Sequence, residues 1–116
     1  MNNSQHREII SRLQSKTDSG QLKWEGTTLS TKYRVSLKGY DITVMAIEND
    51  GSLGNALISV KAAVDFIDSH GSVFDSYKAY EFSDPEYREI SRLFVSARRS
   101  ALGLDRKLSD ILGQLE

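Results

Sequence analysis

Cysteine is absent from this 116-residue chain. That excludes disulfides, thiolate zinc sites and cysteine nucleophiles, and it fits a reducing compartment. Proline occurs once, and the eight glycines are scattered at turn positions instead of forming a phosphate-cradling loop. No serine lies in a Gly-x-Ser-x-Gly elbow. No apolar run approaches the roughly 20 residues needed to cross a bilayer. The opening Met1-Asn2-Asn3-Ser4-Gln5-His6-Arg7-Glu8 lacks the apolar stretch of a secretory signal. An excess of one charge is missing too: fifteen basic and sixteen acidic side chains leave a net charge of −1, so no global field draws in a polyanion. These absences point to a soluble, cytoplasmic protein with no cofactor and no metal, and an enzyme is not expected.

What is present begins with a helix. Ile9, Ile10 and Leu13 lie on one narrow stripe, which predicts a helix over about residues 3–16. Asn2 or Ser4 can accept from its first amides, and Gly20 can take the left-handed conformation that ends it. Tyr33, Val35 and Leu37 then alternate with Lys32, Arg34, Ser36 and Lys38, the pattern of a half-buried antiparallel strand. Lys38-Gly39 makes a turn into a return strand over 40–47, and Asn49-Asp50-Gly51 signals a further hairpin leading to a third strand over 56–61. Residues 63–68 fit either a helical turn ended by Gly71 or a continued strand. The aromatic stretch 72–82 is expected to form a fourth strand. Ser83-Asp84-Pro85-Glu86 has the form of a capping box opening the last helical region. The order is that of a single α+β domain over 1–116: an N-terminal helix, an antiparallel three- to four-stranded meander, and a C-terminal helix or helix pair packed on the sheet.

From Tyr87 onward, apolar residues recur at steps of three and four: Tyr87, Ile90, Phe94, Ala97, Ala101, Leu104, Leu108, Ile111 and Leu115, widened by Leu93, Leu102 and Leu112. An unbroken helix over 84–115 would be about 48 Å long, well beyond a domain whose radius of gyration is near 13 Å. Gly103 followed by Asp105 offers a stop and a new start. A cap at Gly103 would set Leu104 against Arg98 or Arg99, which argues the other way. The broken form is expected. Leu104, Leu108, Ile111, Leu112 and Leu115 then have two uses: packing on the core of the same chain, or an interface with a second copy or another protein.

Charge is segregated locally. Residues 62–87 carry Asp65, Asp68, Asp75, Glu81, Asp84 and Glu86 against Lys78, whereas residues 88–107 carry Arg88, Arg92, Arg98, Arg99, Arg106 and Lys107 against Glu89 and Asp105. The expectation is mutual neutralisation, with Arg88 and Arg92 pairing with the acidic stretch or with Glu89. The alternative is a nucleic-acid-binding face along Arg88, Arg92, Arg99 and Arg106, with Arg98 and Lys107 beside it. Asp65-x-x-Asp68-x-His70 is the one compact ionisable cluster, and only His6 could add a second imidazole. It supports a third reading, a small-ligand or catalytic site, against a polar turn. The lone Trp24 is expected to plug the junction between layers.

The stretch EYREISRLFVSARRSALGLDRKLSDILGQLE, together with SGQLKW and the meander after it, resembles a loose set of small bacterial and phage-type proteins. Those end in an Ala-Arg-Arg-x-Ala-Leu-Gly turn into a short leucine-rich helix. The resemblance implies a bacterial, cytoplasmic setting and carries over no activity and no catalytic residue. The leading expectation is a non-enzymatic protein-interaction or regulatory module, homodimeric through its C-terminal helices.

Overall fold

The computed structural model describes residues 4–48 and 60–116. Helix α1 spans Ser4–Asp18 and is followed by strands β1 (Glu25–Gly26), β2 (Lys32–Leu37), β3 (Tyr40–Ala46), β4 (Ala62–Ile67) and β5 (Val73–Ala79). Helices α2 (Pro85–Leu102) and α3 (Leu104–Gln114) complete the order. The strands form one antiparallel sheet in the order β1-β2-β3-β4-β5. The architecture is therefore α+β with a meander, one strand wider than the three to four expected. The addition, β1, is only two residues long and has no periodicity to reveal it.

Each element follows from local chemistry. In β2 the expected alternation holds through Ser36, with Tyr33 and Val35 buried and Arg34 and Ser36 exposed, but it fails at Leu37, which is 41 % exposed at the strand end beside the Lys38-Gly39 turn. The segment 62–67 resolves as strand, paired with β3 on one side and β5 on the other, with Ala62, Ala63 and Val64 all buried. Of the expected third strand over 56–61, only Val60 and Lys61 are among the described residues, and they precede β4. Residues 56–59 and the Asn49-Asp50-Gly51 turn lie outside the described residues, and regular pairing begins at Ala62. Gly71 does end a segment, but as the φ +83° residue of the β4–β5 turn.

The capping box is also displaced. Pro85 disfavours helical geometry in the residue before it, and Asp84 sits extended at φ −66°, ψ 139°. Asp84 is therefore the N-cap, one residue later than Ser83, and its carboxylate turns back to accept from the amides of Tyr80 and Glu81 at 3.2 and 3.1 Å.

One face of the sheet carries the core. Tyr33, Val35, Ile42, Val44, Val64, Phe66 and Tyr77 meet Ile10 and Leu13 of α1 and Ile90, Leu93 and Ala97 of α2. Trp24 plugs the junction as expected. It is 3 % exposed, its Nε1 donates to Thr17 Oγ1 at 2.9 Å, and its backbone amide donates to Ser100 Oγ at 3.0 Å. One residue thus ties the end of α1 to the end of α2.

Candidate interaction surface

The seam that begins at Tyr87 divides at Gly103. Gly103 adopts φ +61°, ψ +38°, a conformation that costs little only for glycine, and its amide donates to the carbonyls of Arg99 and Ser100. An Arg99–Asp105 ion pair spans the corner, and the amide of Lys107 donates to the Gly103 carbonyl at 3.1 Å to begin α3. The break is thus present. Before it the seam faces inward: Ile90, Leu93 and Ala97 are all 0 % exposed, and Phe94 and Ala101 lean on the same core.

After it the seam faces water. No residue of α3 is buried. Leu108, Ile111, Leu112 and Leu115 are 51, 53, 66 and 77 % exposed, and only Leu104 is half-covered. Packing of these five residues on the core of the same chain, one of the two uses the sequence allowed, does not occur. The physical reason lies at the corner: the left-handed Gly103 redirects the helix axis, so the stripe that continues in sequence no longer points at the sheet.

The cations are placed differently from expectation. Arg88, Arg92, Arg98, Arg106 and Lys107 are exposed and, among the described residues, form no ion pair. Neutralisation by the neighbouring acidic stretch fails because those carboxylates have other partners. Glu86 and Glu89 lie 3.7 and 3.5 Å from the Arg7 guanidinium, and Asp75 is bound to His6. Nor do the cations form one uninterrupted stripe. Arg88 and Arg92 border a hollow of about 610 Å³ shared with Asp84 and Asp18. Arg99 and Arg106 border another of about 280 Å³ with Lys23, Asp18 and Asp105. Arg98 opens onto a third beside Tyr33 and Phe94. Acidic groups interleave with the cations in the first two hollows, which weakens the field a polyanion would meet.

The Asp65/Asp68/His70 cluster is not assembled into a site. Asp65 accepts from Ser76 Oγ at 2.7 Å across β4 and β5. Asp68 Oδ1 accepts from the amides of His70 and Ser72 at 2.9 and 3.0 Å, so it shapes the hairpin turn, and the His70 ring is exposed. Among the described residues, no group of three or more His, Cys, Asp or Glu could hold a metal ion.

Sequence reasoning missed a different cluster, whose members lie about 70 residues apart. His6 Nε2 donates to Asp75 Oδ2 at 2.7 Å, while the buried His6 ring stacks on Phe66 with centroids 5.7 Å apart. Beside it Arg7 Nε donates to Tyr77 Oη at 3.2 Å, and Tyr77 donates to Glu89 Oε1 at 3.1 Å. His6 holds the Asp75 carboxyl below its ordinary value, and the Ser76 amide adds to this. Burial pushes the Tyr77 phenol up, keeping it a neutral donor.

A histidine–aspartate pair invites a catalytic interpretation, but its geometry opposes one. Nε2 is occupied by Asp75, and Nδ1 is buried with no partner among the described residues, so neither nitrogen is presented to a substrate proton. The pair clamps α1 to β5. Because the Asp75 carboxyl is depressed in the folded chain, its stabilising effect is present above the ordinary carboxylate value and is lost as pH falls through the folded value, below about 4. Acid unfolding followed by circular dichroism should show stability falling through that window in the wild type and falling less steeply in Asp75→Asn. Parallel curves would remove the linkage.

No helix among the described residues is long and apolar enough to cross a membrane. The chain matches no protein-family model, no curated protein and no solved structure, so its function is read from this geometry.

Proposed function

We propose that the protein is a non-enzymatic interaction module whose docking element is α3. One observation carries the reading: an 11-residue helix projects from the domain with none of its residues buried, and Leu108, Ile111 and Leu112 on it, with Leu115 just past its end, are each more than half exposed. A lone exposed leucine needs no explanation, whereas a contiguous apolar stripe on one helix marks a surface that another molecule covers. The remaining chemistry supports the same reading. The ionisable clusters at His6/Asp75, Arg7/Glu86/Glu89 and Asp68 are all engaged in joining α1, the sheet and α2 or in shaping a turn.

Thermal unfolding and amide exchange of Leu108→Glu/Leu112→Glu test this reading. Both side chains are largely solvated within their own chain, so the double substitution should change the stability of dilute protein by less than about 0.5 kcal/mol. The wild-type α3 amides should exchange rapidly under the same dilute conditions. A destabilisation of more than about 2 kcal/mol, with protected α3 amides in the dilute wild type, would show that the helix is covered by its own domain.

A further inference from the structure

We infer that the molecule covering α3 is a second copy of this chain, docked antiparallel across a twofold axis between residues 109 and 110. The inference rests on α3 being the docking element and names its partner. The seam residues Leu104, Leu108, Ile111 and Leu115 are separated by four, three and four positions, a spacing that reads the same in both directions. A reversed copy therefore places Leu104 beside Leu115 and Leu108 beside Ile111, with no apolar residue left facing a gap. The self-complementary match is what an isologous interface requires.

Charge and geometry select the antiparallel direction over the parallel one. The first half of α3 carries Arg106 and Lys107 beside an Asp105 already paired with Arg99, and beyond them lie Asp110 and, past the helix end, Glu116. Reversing the second copy brings the basic half of each helix toward the acidic half of the other and opposes the two helix dipoles. A parallel pair would stack like charges. It would also bring both domains to the same end, since only Gly103 separates α3 from α2.

The size of the surface sets the strength. Covering four large apolar side chains from about half to three-quarters exposure removes on the order of 400 Å² per copy, or roughly 800 Å² in the pair, just below the ~1,000 Å² of a stable specific interface. The dimer is therefore a dissociable one whose population follows concentration.

Sedimentation equilibrium of the full chain over about 1–300 µM should show the mass rising from one chain toward two, with Leu108→Glu/Leu112→Glu raising the dissociation constant at least about 100-fold. The absence of cysteine gives a register test, because each introduced thiol is unique. A mixture of Leu104→Cys and Leu115→Cys chains should form a cross-linked heterodimer on mild oxidation, while each variant alone cross-links only at background level. Efficient cross-linking of each variant with itself would overturn the antiparallel arrangement. A monomer at every concentration, with α3 amides exchanging freely, would overturn the second copy and leave α3 open to a different protein. A monomer with protected α3 amides would remove the docking reading itself.

Discussion

Replacing Trp24 with alanine is expected to destabilise the fold by about 3–5 kcal/mol, from lost transfer energy and the cavity left behind. For a domain of this length that corresponds to a fall in Tm of roughly 12–20 °C. Trp24 is 3 % exposed and stands where the end of α1, strand β1 and the end of α2 meet. The indole makes one directional contact, Nε1 to Thr17 Oγ1, and the Thr17 hydroxyl in turn donates to the Leu13 carbonyl at 2.6 Å. Removing the ring opens a void and takes a donor from a buried hydroxyl. Trp24→Phe separates these effects: it keeps most of the apolar volume and forfeits the hydrogen bond, so it should cost about 1–2 kcal/mol. The backbone bond from Trp24 to Ser100 Oγ survives both changes. Equilibrium denaturation of the three proteins checks the ordering. A Trp24→Ala loss below about 1 kcal/mol would place the indole at a site that solvent readily fills and would undo its role as the joint between layers.

The second large effect comes from one residue type at two places in one seam. Leu93→Ala should cost about 2–5 kcal/mol, whereas Leu112→Ala in dilute protein should change stability by less than about 0.5 kcal/mol. Leu93 is 0 % exposed against the sheet, and Leu112 is 66 % exposed on α3. Both belong to the broadened apolar stripe, and helix propensity favours alanine slightly over leucine at either position. The difference is then almost purely one of what each side chain touches. Chemical denaturation measures both; equal losses would mean that α3 is buried in solution and that the corner at Gly103 is not held open.

Much of this arrangement was legible before any coordinates. Tyr33, Val35 and Leu37 declare a strand with one apolar face, and Gly20 marks the end of α1 with φ +80°. Gly103 marks the helix break, because glycine alone enters the left-handed region at small cost. These are short-range statements, and period and backbone sterics suffice for them. Strand β1 escapes notice because two residues cannot display a period. Residues 63–68 stay ambiguous in sequence because a strand buried on both faces and a buried helical turn are both continuous apolar runs; pairing with β3 and β5 decides between them.

Partner choice lay further out of reach. The sequence offers Arg88 and Arg92 beside a stretch rich in acids, yet it is Arg7 and His6, some 70 to 80 positions upstream, that take Glu86, Glu89 and Asp75. Charge proximity along a chain says little once a helix from the far end packs alongside. The same holds for the surface proposed here to carry function. Amino-acid spacing alone determined that nine seam residues share a helical stripe and that the stripe is interrupted at Gly103. Only the tertiary structure decided that the first part of that stripe closes the core while the second part is left in water. Periodicity fixes which side chains share a face, and the direction in which a face points depends on the angle at a single glycine and on where the sheet lies beneath it.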